Sequence, residues 1–339
     1  MSASGGDDKS QPFPHDIHWK GACRTLNVLK ERTIPAARKG LSRNAKENIE
    51  LYLIMLPTIL LIIIFMYIPL YGVVIAFQDY VPGAPFFGPG THWVGLKHFQ
   101  DFISSYYFTR IVKNTLVLNL MNLGMGFWVP IAFALLLNEL KDSFFKKFVQ
   151  TASYLPYFIS SVVVAGMVLS FTATDGIINK LIAAMGGTVQ AWNTKASAFP
   201  WIYTLTCVWQ SFGWGSILYL SSISSIDPNL YEAADLDGAG RLKKIWYVTL
   251  PFMLPLIVIQ LIFAIGGLMS IGTEMILLMY NPSTYATADV IGTYVYREGL
   301  LGGKFSPGAA SGLFMSVINL ILTFGANTLS RKFTDYSLW

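Results

Sequence analysis

Six apolar stretches, each close to the length of a bilayer-crossing helix, constrain this chain more than any other feature. A helix that spans the hydrocarbon needs about 20 mostly apolar residues. The clearest stretch runs from Leu51 to about Phe77, and between Ile59 and Phe65 it carries no polar side chain. The others run from about Asn114 to Leu137, Val149 to Phe171, Trp201 to Ser222, Leu250 to Gly272, and Gly308 to Leu329. The first is too long, and too far from the start of the chain, to be a cleaved signal peptide. Pro57, Pro69, Pro130, Pro156 and Pro255 fall inside these stretches, where neighbouring helices can satisfy the carbonyls they free. Of the 339 residues 53% are hydrophobic and only 13% charged, against roughly 25% charged in an ordinary soluble domain. That excludes a disordered chain, a collagen-like one and most soluble enzymes. The prediction is an all-α integral membrane protein with six transmembrane helices.

Lysine and arginine set the orientation, because they accumulate on the cytoplasmic side. Seventeen of the 24 fall in the first 50 residues, in 138–148, in 223–249 and at Arg331 and Lys332. Seven remain for the other side: Lys97, Arg110, Lys113, Lys180, Lys195, Arg297 and Lys304. Both termini are therefore expected in the cytoplasm of a multi-pass protein in a cell membrane. Residues 1–50 read as a basic cytoplasmic tail and 51–339 as one transmembrane domain. The segments 78–113, 173–200 and 273–307 read as outer loops with small interfacial helices and turns. Cys23 and Cys207 are too few and too distant for a disulfide framework or a zinc site. His15, His18, His92 and His98 all lie outside the apolar stretches, which leaves a haem or di-metal membrane enzyme without ligands. No metal site and no nucleic-acid partner is expected.

The segment from Asp227 to Leu242 is the most informative. Asp227 suits a helix cap and Pro228 the first helical position, and Gly238 and Gly240 then break the helix. A second short helix is expected from Arg241 to Leu250-Pro251. Leu230, Ala233 and Ala234 fall at helical spacing, giving a small apolar face that lets another surface approach. Asp235 and Asp237 argue against a helix resting on an anionic leaflet. Glu232-Ala233-Ala234, three residues, Gly238, nine residues, then Val248-Thr249-Leu250-Pro251 resembles the EAA loop of bacterial ABC importer permeases. That family usually has isoleucine at the position of Val248. Trp209-Gln210 through Trp214 to Tyr219-Leu220, Asp289-Val290-Ile291 with Tyr294-Val295-Tyr296-Arg297, and Asn327 with Ser337-Leu338 resemble the LplB-type branch of carbohydrate permeases, itself similar to the maltose type.

The resemblance covers about residues 50–339 and implies a type I ABC importer permease fold. It implies that the loop is a coupling helix pair docked on an ATPase subunit, with Tyr231, Glu232, Ala233, Ala234, Asp237, Gly238 and Arg241 at the contact. It also implies a second related permease, two copies of a cytoplasmic ABC ATPase, an extracellular or periplasmic solute-binding protein, and a carbohydrate as cargo. The chain has no phosphate-cradling Gly-x-x-x-x-Gly-Lys-Ser/Thr loop. ATP and Mg would be bound by the partner ATPase, and no cofactor is expected on this chain.

Polar side chains inside membrane helices are costly and so become candidates for the substrate pathway. They are Asn119, Asn122, Gln210, Trp214, Tyr219, Gln260 and Glu274. Aromatic faces and amides are the chemistry that binds a sugar, and Trp214 and Gln210 are four residues apart on one helix face. Gly213 and Gly215 permit close approach of a helix or ligand. Such amides also make interhelical hydrogen bonds, and such aromatics also mark the membrane interface. A stand-alone secondary transporter or channel would need intramembrane ionisable residues, which the stretches almost lack. A membrane enzyme would need a catalytic constellation that is not visible.

Overall fold

The computed structural model describes residues 43–334 and 336–339. Cys23, His15, His18 and most of the expected tail lie outside the described residues. The described chain divides into two units, one ending at Ile68 and the other running from Pro69 to Trp339. Helix dominates, and the only pairing of extended backbone among the described residues is an isolated bridge between Gln78 and Trp93. Among the described residues, five helical segments are long and apolar enough to cross a membrane: Leu51–Phe77, Phe108–Asn138, Ser161–Ala184, Arg241–Gly266 and Phe305–Phe333. The fourth expected stretch is a 26-residue helix, Phe199–Ser224. At 1.5 Å per residue it is about 39 Å long, enough to span a bilayer. Thr, Ser, Gly, Gln and Trp dilute its apolar content because it faces protein. It packs on Phe108–Asn138, on Phe144–Tyr154, on Leu250–Gly266 and on Thr273–Met279, and buries Tyr203, Thr204, Thr206, Gly213, Ser216 and Tyr219.

The prolines shape the helices in two ways. Pro130 would clash with the carbonyl four residues earlier, and the helix Phe108–Asn138 is interrupted at Phe127. Pro69 and Pro251 each follow a turn of π-helix, Ile63–Tyr67 and Ile245–Thr249. There the N–H of Ile68 and of Leu250 reaches back five residues, to Ile63 O and Ile245 O, so the ladder widens and the ring fits without ending the helix. The expected second short helix is thus not separate. Arg241 begins a helix that passes through Pro251 and ends at Gly266, short of the expected Gly272. The third stretch is also corrected. Instead of one helix from Val149 to Phe171, it is Phe144–Tyr154, a 3-10 turn Leu155–Phe158, and a new helix Ser161–Thr172. Ile159 and Ser160 are extended, and the Ser160 hydroxyl caps Val163 N–H at 3.5 Å.

Residues 273–307 are not a surface loop. Met275, Ile276, Met279, Ala288, Val290 and Ile291 are buried there, in two of the three apolar clusters of the fold. Their helices, including Thr273–Met279 and Tyr285–Ala288, are too short to register as spans. At their centre Asp289 is fully buried and joined to Arg110 Nη2 at 2.9 Å and to Arg297 Nη1 and Nη2 at 3.0 and 3.1 Å. The hydrogen bonds from Arg297 to Asp289 raise the guanidinium pKa above its ordinary value, although burial opposes them.

Gly213 meets the backbone of Ser153, and an added Cβ would overlap the Ser153 carbonyl. Gly213→Ala is expected to cost about 1–3 kcal/mol by overpacking, read as a lower thermal midpoint of the purified protein. Gly325→Ala, on an open helix face, should leave the midpoint unchanged or slightly raised.

Candidate functional site

Local chemistry explains the geometry of the 227–242 loop. Asp227 Oδ1 accepts the Asn229 N–H at 3.0 Å and caps the helix Pro228–Leu236. At the far end Ala239 N–H donates to Ala234 O at 2.9 Å and Gly238 N–H to Asp235 O at 3.0 Å. This is a Schellman closure, which needs a left-handed residue, and Gly238 supplies it at φ +72°. Tyr231 is pinned through its hydroxyl to Thr249 Oγ1 at 3.0 Å, and Asp235 pairs with Lys244 at 2.5 Å. Both contacts tie the short helix to the first turns of Arg241–Gly266. Arg241 approaches Glu139 at 3.9 Å, so it bridges to the 138–148 segment. Glu232, Ala233 and Asp237 are exposed, and Ala234 is half-buried. Sequence reasoning missed the exposed apolar side chains around them: Leu236 is 91% exposed, with Leu242, Trp246 and Tyr247 also open.

Further along the same long helix, Gln260, Phe263 and Ala264 line a cavity of about 660 Å³. Asn119 and Asn122 enter it from Phe108–Asn138, and Trp214, Gly215 and Tyr219 from Phe199–Ser224. The remaining wall is irregular backbone after Gly266. Open backbone at membrane depth is tolerated where it lines a cavity and finds partners. Here Asn119 Nδ2 donates to Leu268 O at 2.8 Å, and Asn319 Oδ1 accepts from Met269 N–H at 2.9 Å. Asn319 Nδ2 also donates to Ser270 Oγ at 2.7 Å. Trp214 lies parallel to Tyr157 at 4.8 Å and edge-on to Phe158 at 5.4 Å. Tyr219 touches the cavity but is held mainly in the cluster of Ile131, Ile223 and Met253.

Gln210 and Glu274 do not join this group. Gln210 Nε2 donates to Ile159 O at 3.0 Å, which satisfies a carbonyl at the break in the third stretch. Glu274 is exposed in the first turn of Thr273–Met279. Phe127, Phe263 and Ser270 of the cavity wall were missed, as was Asn319, which lies outside the lining and holds Met269 and Ser270. Asn319 carried the signal that singled out Asn119, an amide inside an apolar helix. Gly266, Gly267 and Gly272 together signal the break that places Ser270. The assembled cavity offers amides for hydroxyl groups and aromatic faces for apolar rings.

The chain is 43% identical over 291 residues to the polygalacturonan/rhamnogalacturonan transport system permease protein YteP of Bacillus subtilis, covering 85% of this chain and 90% of that protein. It is 39% identical over 317 residues to protein LplB of the same organism, covering 92% and 99%. Among solved structures it is similar to a chain of a bacterial alginate ABC transporter in complex with an alginate pentasaccharide-bound periplasmic protein. That match has a TM-score of 0.79 and 38% identity, and covers 88% of this chain and 99% of the other. Together with the match of residues 123–335 to the family itself, these likenesses show that the chain belongs to the family of binding-protein-dependent transport system inner membrane components.

Proposed function

We propose that this chain is the transmembrane permease subunit of an ATP-driven ABC importer, forming half of the pathway for an oligosaccharide or polysaccharide fragment. The observation that carries the reading is one continuous helix, Arg241–Gly266, with two attachments. Near its start it holds the exposed helix Pro228–Leu236 through Thr249 and Lys244. Near its end it presents Gln260 to the amide- and aromatic-lined cavity. Thr249 and Gln260 are about 16 Å apart at 1.5 Å per residue. A push on the short helix is therefore delivered to the cavity wall along one helix. In this reading the protein crosses the bilayer six times with both termini cytoplasmic, following the excess of Lys and Arg. Tyr231, Glu232, Ala233, Ala234, Asp237, Gly238 and Arg241 face or position the ATPase. Asn119, Asn122, Trp214, Tyr219 and Gln260 line the pathway.

The partners are a second related permease, two ATPase copies that bind ATP and Mg, and an extracellular or periplasmic binding protein that delivers the sugar. ATP-driven closure of the ATPases then switches the cavity between outward- and inward-facing states. Affinity purification of the chain from its native membrane, with stoichiometry by mass spectrometry, tests this. An ABC ATPase and a second multi-span protein should co-purify, and liposomes holding this chain alone should show no sugar flux. Recovery of the chain by itself, together with ion-coupled flux from it alone, would establish a stand-alone transporter instead.

A further inference from the structure

A second cavity, of about 450 Å³, lies at the start of the helix Phe108–Asn138, between Arg110, Lys113, Tyr106, Pro200 and Thr287. Its size falls within the range of small-ligand sites. Two of the neutral donors of its wall are already committed within the protein. Asn114 Nδ2 donates to Ala286 O at 3.1 Å and to Asp289 O at 2.9 Å, and Thr287 Oγ1 donates to Ala196 O at 2.5 Å.

Its cations are not committed in that way. Lys113 is exposed and makes no ion pair among the described residues. Arg110 gives one Nη2 bond to Asp289, while its buried Nε has no partner. A guanidinium has five N–H donors, so Arg110 is under-used. The carboxylate nearest to hand, Asp289, is fully buried and shared with Arg297, which leaves the site with positive charge in excess. Arg110 and Lys113 are three residues apart and share a helix face. At the rim the Tyr106 ring is 90% exposed, an open aromatic surface beside the cations.

We infer that this pocket is a carboxylate-binding subsite for a uronic acid residue of the transported oligosaccharide. The sugar ring lies on Tyr106 and its carboxylate is held between Lys113 and the free edge of Arg110. A planar carboxylate suits a guanidinium fork, and charge-assisted hydrogen bonds outweigh neutral ones. Asn119 and Asn122 follow Lys113 on the same helix by six and nine residues. They stand about 9 and 14 Å further along it but on the far side of the helix, at about 100° per residue, so the pocket is a subsite apart from the amide-lined cavity. The inference rests on the importer reading and on the orientation that places Lys113 outside.

The test measures binding of a galacturonic acid trisaccharide and of its fully methyl-esterified form to the purified complete transporter in nanodiscs. The acid should bind about tenfold more tightly than the ester, and Lys113→Gln should erase the gap while Lys113→Arg keeps it. Equal binding of acid and ester, absence of binding by either, or a gap that survives Lys113→Gln would overturn the inference. Docking of the binding protein without sugar is measured alongside. If Lys113→Gln weakens that docking and leaves the gap intact, the pocket takes a protein carboxylate and the sugar assignment is wrong. Failure of the importer reading registers separately, as absence of the ATPase and second permease from the purified material.

Discussion

Replacing Asp289 with alanine is expected to destabilise the protein by about 3–5 kcal/mol, the cost of removing one partner from a buried ion pair. The carboxylate has no exposed surface and accepts hydrogen bonds from Arg110, from both Nη atoms of Arg297 and from Thr293 Oγ1 at 2.8 Å. Alanine would leave two guanidinium groups facing each other with no counter-charge. The loss falls where the start of Phe108–Asn138 is joined to a segment 179 residues later, so both elements should loosen together. Asp289→Asn keeps an acceptor for one guanidinium but not the charge, and should fall between alanine and wild type. Thermal unfolding of the purified protein in lipid nanodiscs reads the order wild type, asparagine, alanine. An alanine variant that melts with wild type would mean that the charges are neutralised some other way.

The same cluster marks where sequence reasoning stops. Arg297 next to Glu298 reads as a solvated pair, yet Arg297 chiefly holds Asp289, and Glu298 is 4.0 Å away. Nothing local predicts this, because the carboxylate and Arg110 meet only after the chain has folded back. What the sequence makes legible is what depends on neighbours in the chain. The Asp227 cap, the Gly238 turn and the apolar length of the long helices follow from side chains within a few residues of one another. Gly213 belongs with them, since a missing Cβ inside a helix announces close approach even before Ser153 is known to be the partner.

The breaks at Ile159 and after Gly266 are different. Each depends on an amide from another helix, Gln210 and Asn119 respectively. For that reason two side chains of the same chemistry divided between a structural bond and the candidate pathway. Asn119 lines the cavity while it makes its bond, whereas Gln210 lies outside the cavity. Polarity inside a span identifies both and separates neither.

Replacing Glu232 and Gly238 together is expected to release the ATPase from an otherwise folded permease. A β-branched residue at position 238 must adopt φ +72°, a left-handed conformation that costs roughly 1–2 kcal/mol or more. No atom stands within 4 Å of the position to block a side chain, so the strain is in the backbone alone. The cheapest relief is to unwind the closing turn, which releases Ala234 O and Asp235 O and displaces the exposed Leu236. Glu232 is exposed and makes no ion pair within the described chain, so reversing its charge as Glu232→Lys acts on a partner surface and not on the fold. Central residues of an interface commonly carry 2–4 kcal/mol each, and even the lower figure corresponds to a loss of about 30-fold in affinity. The Glu232→Lys/Gly238→Val protein should therefore stay folded, its thermal midpoint lowered by no more than a few degrees, while its co-purified ATPase falls by at least about that factor. Lys243→Ala, also exposed and unpaired among the described residues, should keep the ATPase. If the double variant retains the ATPase, docking does not run through this face. The attachment of Tyr231 to Thr249 would then serve only to hold the loop, and the helix from Thr249 to Gln260 would have no driver at its end.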